Sequence, residues 1–378
     1  MRKIFTLALI SLVSLALHGQ TSHPILAVGA PAPDFSLPGV DGKTHKLSDY
    51  TSSPVLAVVF TCDHCPIAQM YENRIEKLYQ DYKDRGVAVI AIQGNDPKAT
   101  TIDELDSSDI GDTLAEMKIR VQYKHIHYPY LYDGETQSVT QAYGPQATPH
   151  VFIFDKERHL RYQGRFDNSY RIEKVATSDA RNAIDALLAN KQVPVTHTAV
   201  FGCSTKWKEK EALRVASEQK LEGEPVSVNP VDAAGLKKLR ANTGDNYTLV
   251  TFWATWCTSC IAEFSDLQDT YRMYSDRGFK LVTVSVNTPD EKPSVLRLLN
   301  KKHATSTNLM FSSEDTAGLQ AAFDPKWQSA VPYSVLLGPN GKVLYSTLGS
   351  VDVLQLRRTL LAAMPSDYIG FNKYWAGQ

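Results

Sequence analysis

Hydrophobic positions along the chain fall into two repeats of one pattern. Val55–Phe60 is an uninterrupted apolar run and predicts a buried strand. From about Cys65 to Arg85 the apolar and aromatic residues Ile67, Met70, Tyr71, Ile75, Leu78, Tyr79 and Tyr82 recur with helical period, and Gly86 stops the helix. Val87–Ile92 is a second apolar run, as in a central strand covered on both faces. An amphipathic segment near Ile110–Ile119 and a short helix over Thr136–Tyr143 follow. After Thr148-Pro149 a hairpin is expected over Val151–Phe154 and Leu160–Gly164, then a helix over Ile172–Ala189. The second half repeats the plan. A helix at Val231–Arg240 leads to strand Tyr247–Trp253, helix Thr258–Arg277, strand Phe279–Val286 and helices over Lys292–Lys302 and Glu314–Phe323. Val331-Pro332 then precedes strands Tyr333–Leu337 and Lys342–Leu348, joined by Gly338-Pro-Asn-Gly341, and helix Val353–Ala363 closes the unit. Alternation of strand and helix gives parallel pairing, and each terminal hairpin adds antiparallel strands.

The fold class expected is therefore α/β, with two tandem units that each have a mixed central sheet flanked by helices. The boundaries read as 25–207 and 226–365. A charged linker poor in large apolar residues covers 208–225, and an aromatic tail covers 366–378. Tyr368, Phe371, Tyr374 and Trp375 of that tail are expected to dock on the second unit, because exposed aromatic clusters are uncommon.

Composition narrows the class. The chain has 378 residues, 43% hydrophobic and 21% charged, with a formal net charge of −1. That is a soluble globular balance with no electrostatic case for nucleic acid. Arg2 and Lys3 precede the apolar stretch Ile4–Leu17, so residues 1–19 read as a secretory signal peptide, cleaved after Ala16 or Gly19. No second apolar span is present in the sequence, and no transmembrane anchor is expected. The mature protein is thus expected in the periplasm or otherwise secreted, where disulfides persist.

Four of the five cysteines form two Cys-x-x-Cys pairs, Cys62/Cys65 and Cys257/Cys260, each between a strand and a helix. A helix N-terminus offers unpaired N–H groups and a positive dipole end, which favour thiolate over thiol. A two-residue gap closes too small a ring to add much stability. A shared zinc site would need both junctions brought together and four thiols kept reduced. Redox chemistry is the remaining reading. The leading cysteines, Cys62 and Cys257, are expected to be accessible nucleophiles, with Cys65 and Cys260 resolving the adduct from one turn along the helix.

Phe252-Trp-Ala-Thr-Trp-Cys-Thr-Ser-Cys260, Val331-Pro332 and the Pro-Asn-Gly turn resemble the TlpA/ResA type of extracytoplasmic thiol-disulfide oxidoreductase, over about Val226 to Met364. Ala32-Pro-Asp-Phe35, Phe60-Thr-Cys-Asp-His-Cys-Pro66, Thr148-Pro149 and Gly202-Cys-Ser-Thr-Lys-Trp207 resemble the redoxin or peroxiredoxin-like (AhpC/TSA-type) branch, over about Ile25 to Trp207. The resemblance implies two thioredoxin-like folds acting on protein thiols and disulfides. It also implies cis peptides before Pro149 and Pro332, with the backbones of Thr148 and Val331 holding an extended substrate. Trp256 would be active-site surface, and a membrane thiol-disulfide relay the electron donor. No flavin, nicotinamide or haem motif occurs, so no cofactor is expected.

Several residues carry two readings. His64 either stabilises the Cys62 thiolate, against the charge of Asp63, or is a surface histidine. On the first reading the first site is the more oxidising of the two. Glu263 is either a proton shuttle for Cys260 or a first-turn acid favoured by the helix dipole. Cys203 is either a buried apolar residue or a third redox thiol. Two other functions compete: a thiol peroxidase, with Arg165 on the peroxide side, and an adaptor holding a metal or a haem-maturation partner. The peroxidatic Pro-x-x-x-Thr-x-x-Cys pattern fails at both first-site cysteines, because Val55 and Val59 precede Cys62 at the Pro and Thr places and Val58 and Cys62 precede Cys65.

Overall fold

The computed structural model describes residues 23–377; the expected signal peptide lies outside them. The first unit is a five-stranded sheet in the order Tyr130–Tyr132, Val87–Gln93, Val55–Thr61, His150–Phe154, Leu160–Gly164. The first three strands run parallel and the last two antiparallel. Val55–Thr61 is buried along its whole length, which is why it reads as unbroken apolar sequence rather than as an alternation. Helices Pro66–Tyr82 and Asp179–Leu188 cover one face, where Tyr71, Ile75, Leu78, Ala180 and Ile184 pack on Val55, Ala57 and Val59. Phe35, Leu37 and Val139 close the opposite face against Leu56, Val58 and Phe60.

The second unit orders its six strands Asn229–Val231, Thr307–Phe311, Phe279–Ser285, Tyr247–Trp253, Tyr333–Leu337, Val343–Leu348. Helices Ala233–Ala241, Thr258–Tyr274, Lys292–Lys301, Thr316–Phe323 and Val353–Ala363 flank it. Both units carry a cis X-Pro bond, Thr148-Pro149 and Val331-Pro332, just before their antiparallel strands.

Some expectations are corrected. Strands Tyr130–Tyr132 and Thr307–Phe311 were not expected. The segment 172–189 has a short 3-10 turn at Ile172–Lys174, and its α-helix begins only at Asp179. The expected linker 208–225 holds a helix, Glu211–Glu222, which lies along one wall of a cavity between the units. The aromatic tail docks on both units rather than one. Phe371 and Trp375 are buried. Asn372 Nδ2 donates to the carbonyls of Leu361 (2.9 Å) and Met364 (2.7 Å) in the second unit. Lys124 Nζ and Arg120 Nη1 of the first unit donate to the carbonyl and hydroxyl of Tyr374, at 2.9 and 3.1 Å.

The loop Asp106–Asp112 is where the units meet. Arg358 Nε donates to Asp109 Oδ2 (2.6 Å), Arg357 Nη1 to its carbonyl (3.0 Å), and Arg277 Nη1 to the carbonyl of Asp106 (2.6 Å). Asp109 also pairs with the fully buried Arg120 at 2.9 Å. Buried charges are tolerated when paired and hydrogen-bonded in this way. The same loop ends at Asp112, which belongs to the first cysteine site.

Candidate redox sites

The second site has the helix-terminal placement expected of it, though not the accessibility. Cys257 is the N-cap residue of helix Thr258–Tyr274, and a disulfide joins it to Cys260. Its sulfur accepts the Cys260 N–H at 3.2 Å, one of the orphan donors of the first helical turn. Cys257 is only 6% exposed, less than an accessible nucleophile was expected to be, while the neighbouring Trp256 is 66% exposed. Val331 and cis-Pro332 precede strand Tyr333–Leu337, which pairs with the strand leading into the motif. Trp253 packs on Phe264 beneath the site. Glu263 is buried on the motif helix. Its burial pushes the carboxyl above the usual range, although Oε2 accepts the Val351 N–H at 2.8 Å. A solvated first-turn acid would not be held there, so the helix-dipole reading of Glu263 is set aside.

The first site departs from expectation at its centre. The residue before a proline is pushed out of the helical region. Pro66 therefore makes Cys65 the N-cap (φ −72°, ψ 123°) and starts the helix at Pro66, three residues later in the motif than in the second unit. Cys65 is thus not one turn along the helix. It is bonded to Cys203, from 138 residues downstream, and Cys62 keeps a free thiol. Cys62 and Cys65 are 1% and 0% exposed, so the expected accessibility of Cys62 is corrected as well.

Cys62 packs at the edge of the buried core of the first unit and also meets a polar cluster. Its Sγ is 3.1 Å from Thr148 Oγ1. Its sulfur, the His64 ring and the Asp112 carboxylate bring donor atoms within 4.8 Å of one another. His64 Nδ1 is 2.6 Å from Asp112 Oδ2. Asp112 also accepts the backbone N–H groups of Asp63 (2.9 Å) and His64 (3.1 Å), and Asn95 Nδ2 at 3.0 Å. Burial alone would push the imidazole down, but the Asp112 and Cys62 charges outweigh it and leave His64 well above its usual range. Burial likewise opposes the Asp112 charge, and the His64 cation with these hydrogen bonds overrides it, so Asp112 sits below its usual range. His64 is therefore a buried cation, not a surface histidine. Those three donor types would suit a borderline transition-metal ion. The Asp112 oxygens, however, are already taken up by four hydrogen bonds, which describes a Cys–His–Asp relay better than a ligand set.

Asp63 was expected to oppose His64 by charge. Burial instead holds its carboxyl well above the carboxylate range despite Arg120 nearby, which favours the neutral form. Oδ1 accepts the Tyr130 hydroxyl at 3.1 Å and Oδ2 has no partner among the described residues, which a neutral acid tolerates better than an anion. The expected higher potential of the first site loses its basis for another reason. Cys62 is a thiol in the oxidised structure too, so stabilising its thiolate does not favour reduction of a disulfide it is not part of.

Thr148 was expected to hold substrate. Here its backbone edge is taken by the chain itself, since Cys203–Ser204 pairs antiparallel with Ala147–Thr148. Arg165 Nε points to Asp179 Oδ2 at 2.8 Å, in a salt bridge at the end of its strand. Asp112 was missed by sequence reasoning. It lies 50 residues from Cys62 within Asp106–Asp112, where only a local amphipathic segment was legible.

Comparison with known proteins fits two such units. The thiol-disulfide oxidoreductase ResA of Geobacillus thermodenitrificans (strain NG80-2) is 28% identical over 165 residues, 43% of this chain and 83% of its own length. A glutathione peroxidase of Lactococcus lactis subsp. cremoris (strain MG1363) is 32% identical over 106 residues, 26% of this chain and 66% of its own. The crystal structure of a hypothetical protein from Sinorhizobium meliloti 1021 is 35% identical, covers 49% of this chain and 97% of its own, and superposes with a TM-score of 0.44. The profile of the AhpC/TSA family matches residues 28–163 and 225–346, more than half of the sequence, and the chain belongs to that family.

Proposed function

We propose that this AhpC/TSA-family oxidoreductase is an extracytoplasmic thiol-disulfide oxidoreductase that acts on protein disulfides. The observation that carries the reading is the Cys257–Cys260 disulfide at a helix N-terminus, beside exposed Trp256. In the reduced protein the Cys257 thiolate attacks one sulfur of a substrate disulfide. That bond breaks, a Cys257–substrate disulfide forms, and the other substrate sulfur leaves as thiolate. Cys260 then attacks Cys257, which closes the internal disulfide and releases the second substrate thiol. The Cys260 N–H held by the Cys257 sulfur stabilises the attacking thiolate. Glu263, with its raised pKa, is suited to take the Cys260 proton as that sulfur attacks. Val331, ahead of cis-Pro332, offers its backbone to an extended substrate strand, and no strand pairs with it among the described residues. The exported setting rests on Arg2, Lys3 and Ile4–Leu17. A membrane thiol-disulfide relay would return electrons to the dithiol.

Insulin reduction by the dithiothreitol-reduced full chain tests the reading. Turnover should be lost in Cys257→Ser. Rapid consumption of hydrogen peroxide, with no insulin reduction, would instead favour a thiol peroxidase.

A further inference from the structure

Three of the five cysteines converge on one residue. Cys62 Sγ lies 3.1 Å from Thr148 Oγ1, Cys65 Sγ lies 3.8 Å from the Thr148 carbonyl, and Cys203 is the register partner of Thr148 in a two-residue antiparallel ladder. A substrate of a thioredoxin-like site would be expected to combine a strand pairing at the cis-proline loop with a disulfide to the motif. Here the segment Cys203–Ser204 supplies both from within the chain. That approach is built in. Gly202 sits at φ +140°, and a Cβ there would come within 2.0 Å of the Thr148 carbonyl oxygen. Only glycine lets the segment lie this close. Thr205 Oγ1 donates to the Pro145 carbonyl (2.7 Å) and Lys206 N–H to Asn95 Oδ1 (2.9 Å), which pins the downstream end. Exposure is graded across the three sulfurs. Cys62 and Cys65 are buried, whereas Cys203 is half-buried between the exposed Gly202 and Ser204.

We propose that the first site is a three-thiol relay in which Cys65 is the shared sulfur, Cys62 the inner thiol, and Cys203 a resident substrate mimic that exchanges with external thiols. This rests on the thiol-disulfide reading above and assigns the first site its internal partner. In the internal step the Cys62 thiolate attacks Cys65 Sγ. The Cys65–Cys203 bond breaks, a Cys62–Cys65 bond forms, and Cys203 leaves as thiolate, with no net change in electrons. In the external step a thiolate of a dithiol or of glutathione attacks Cys203 Sγ and Cys65 leaves as thiolate. A second external thiolate then attacks the adduct, so the external pair is oxidised to a disulfide and the protein disulfide is reduced by two electrons. The His64–Asp112 pair lies beside Cys62 in the linkage seen, with Cys65 bonded to Cys203 and Cys62 left free.

The test is disulfide mapping of the full chain, equilibrated in an oxidised/reduced glutathione buffer, quenched in acid, alkylated and digested. Wild type should carry mainly the Cys65–Cys203 linkage. Cys203→Ser, and separately Gly202→Ala, which keeps all three thiols, should shift the linkage to Cys62–Cys65. Cys65→Ser should gain its glutathione adduct on Cys203 and not on Cys62. Two free thiols at Cys62 and Cys65 in both Cys203→Ser and Gly202→Ala, each with a cooperative melt, would overturn the relay; so would a glutathione adduct confined to Cys62. Insulin turnover by the wild-type chain reads the second site separately, so its loss would sink the general reading while the linkage pattern speaks to the relay alone.

Discussion

Asp112→Asn is the substitution that most directly probes the first site. The change is nearly isosteric, and the amide oxygen can still accept the Asp63 and His64 N–H groups that Asp112 Oδ1 accepts at 2.9 and 3.1 Å. What disappears is the charge opposite the His64 ring, together with the Oδ2 acceptor that Asn95 Nδ2 reaches at 3.0 Å. Breaking a buried pair by removing one partner costs about 3–5 kcal/mol. For a unit of this size each kcal/mol lowers Tm by about 2–4 °C, giving about 6–20 °C. The lower part of that range is expected, because His64 can shed its proton rather than remain an unpaired cation. The pH dependence fixes the sign. In the wild type His64 is raised, so its contribution is complete below its unfolded value of about 6.5 and fades as pH climbs through the folded value. Asp112 is lowered, so its contribution is complete above about 3.9 and is lost as pH falls through the folded value. In the variant only Cys62 still opposes burial at the imidazole, so the ring titrates lower than in the wild type and less stability is gained on the acid side. The gap between the two proteins should therefore be wider at about pH 5 than at about pH 8. Thermal melts across pH measure it, and nitrogen NMR of the His64 ring, assigned with His64→Gln, reads the titration itself. A Tm loss below about 2 °C that is the same at both pH values would refute the buried ion pair.

Other consequences follow from named contacts. Glu263→Gln should raise Tm at alkaline pH and leave it nearly unchanged in acid, because a raised carboxyl pKa gives stability that is lost as pH rises through the folded value. The same variant should lower insulin turnover by at least ~10-fold and flatten its rise with pH; unchanged turnover would leave Glu263 only as a prop for Val351. Tyr374→Phe removes the hydroxyl that donates to Glu72 Oε2 and accepts from Arg120 Nη1 at 3.1 Å. It should cost about 1–3 kcal/mol in urea unfolding, and a neutral outcome would mean that the tail does not brace the joint between the units.

How much was legible in the sequence depended on how local the determinants are. The long buried strands Val55–Thr61, Val87–Gln93, Tyr247–Trp253 and Phe279–Ser285 announce themselves as apolar runs between glycines and turns. Tyr130–Tyr132 is too short to show a period. Thr307–Phe311 hides behind Asn308, a polar residue that is buried because Nδ2 donates to the carbonyls of Ala304 (2.8 Å) and Ser306 (3.0 Å). The helix Glu211–Glu222 buries none of its residues fully, and without an apolar stripe it reads as a linker. At the sites, the spacing of Cys257 and Cys260 was sufficient because their disulfide closes within one turn. In the first unit the chemistry is set by long-range partners. Cys203 and Asp112 reach Cys65 and Cys62 only through the ladder at Thr148 and the loop at the joint between the units, which no local window contains. The one local signal there was Pro66, whose restriction on Cys65 moves the helix start and with it the role of the second cysteine.

A redox titration of the native full chain bears most directly on the account. With the linkages Cys65–Cys203 and Cys257–Cys260 closed at the start, graded reduction under non-denaturing conditions should take up electrons in two reversible two-electron steps while the far-ultraviolet spectrum and the cooperative melt persist. Disulfides that resist reduction until the chain unfolds would make both bonds structural and contradict the central claim.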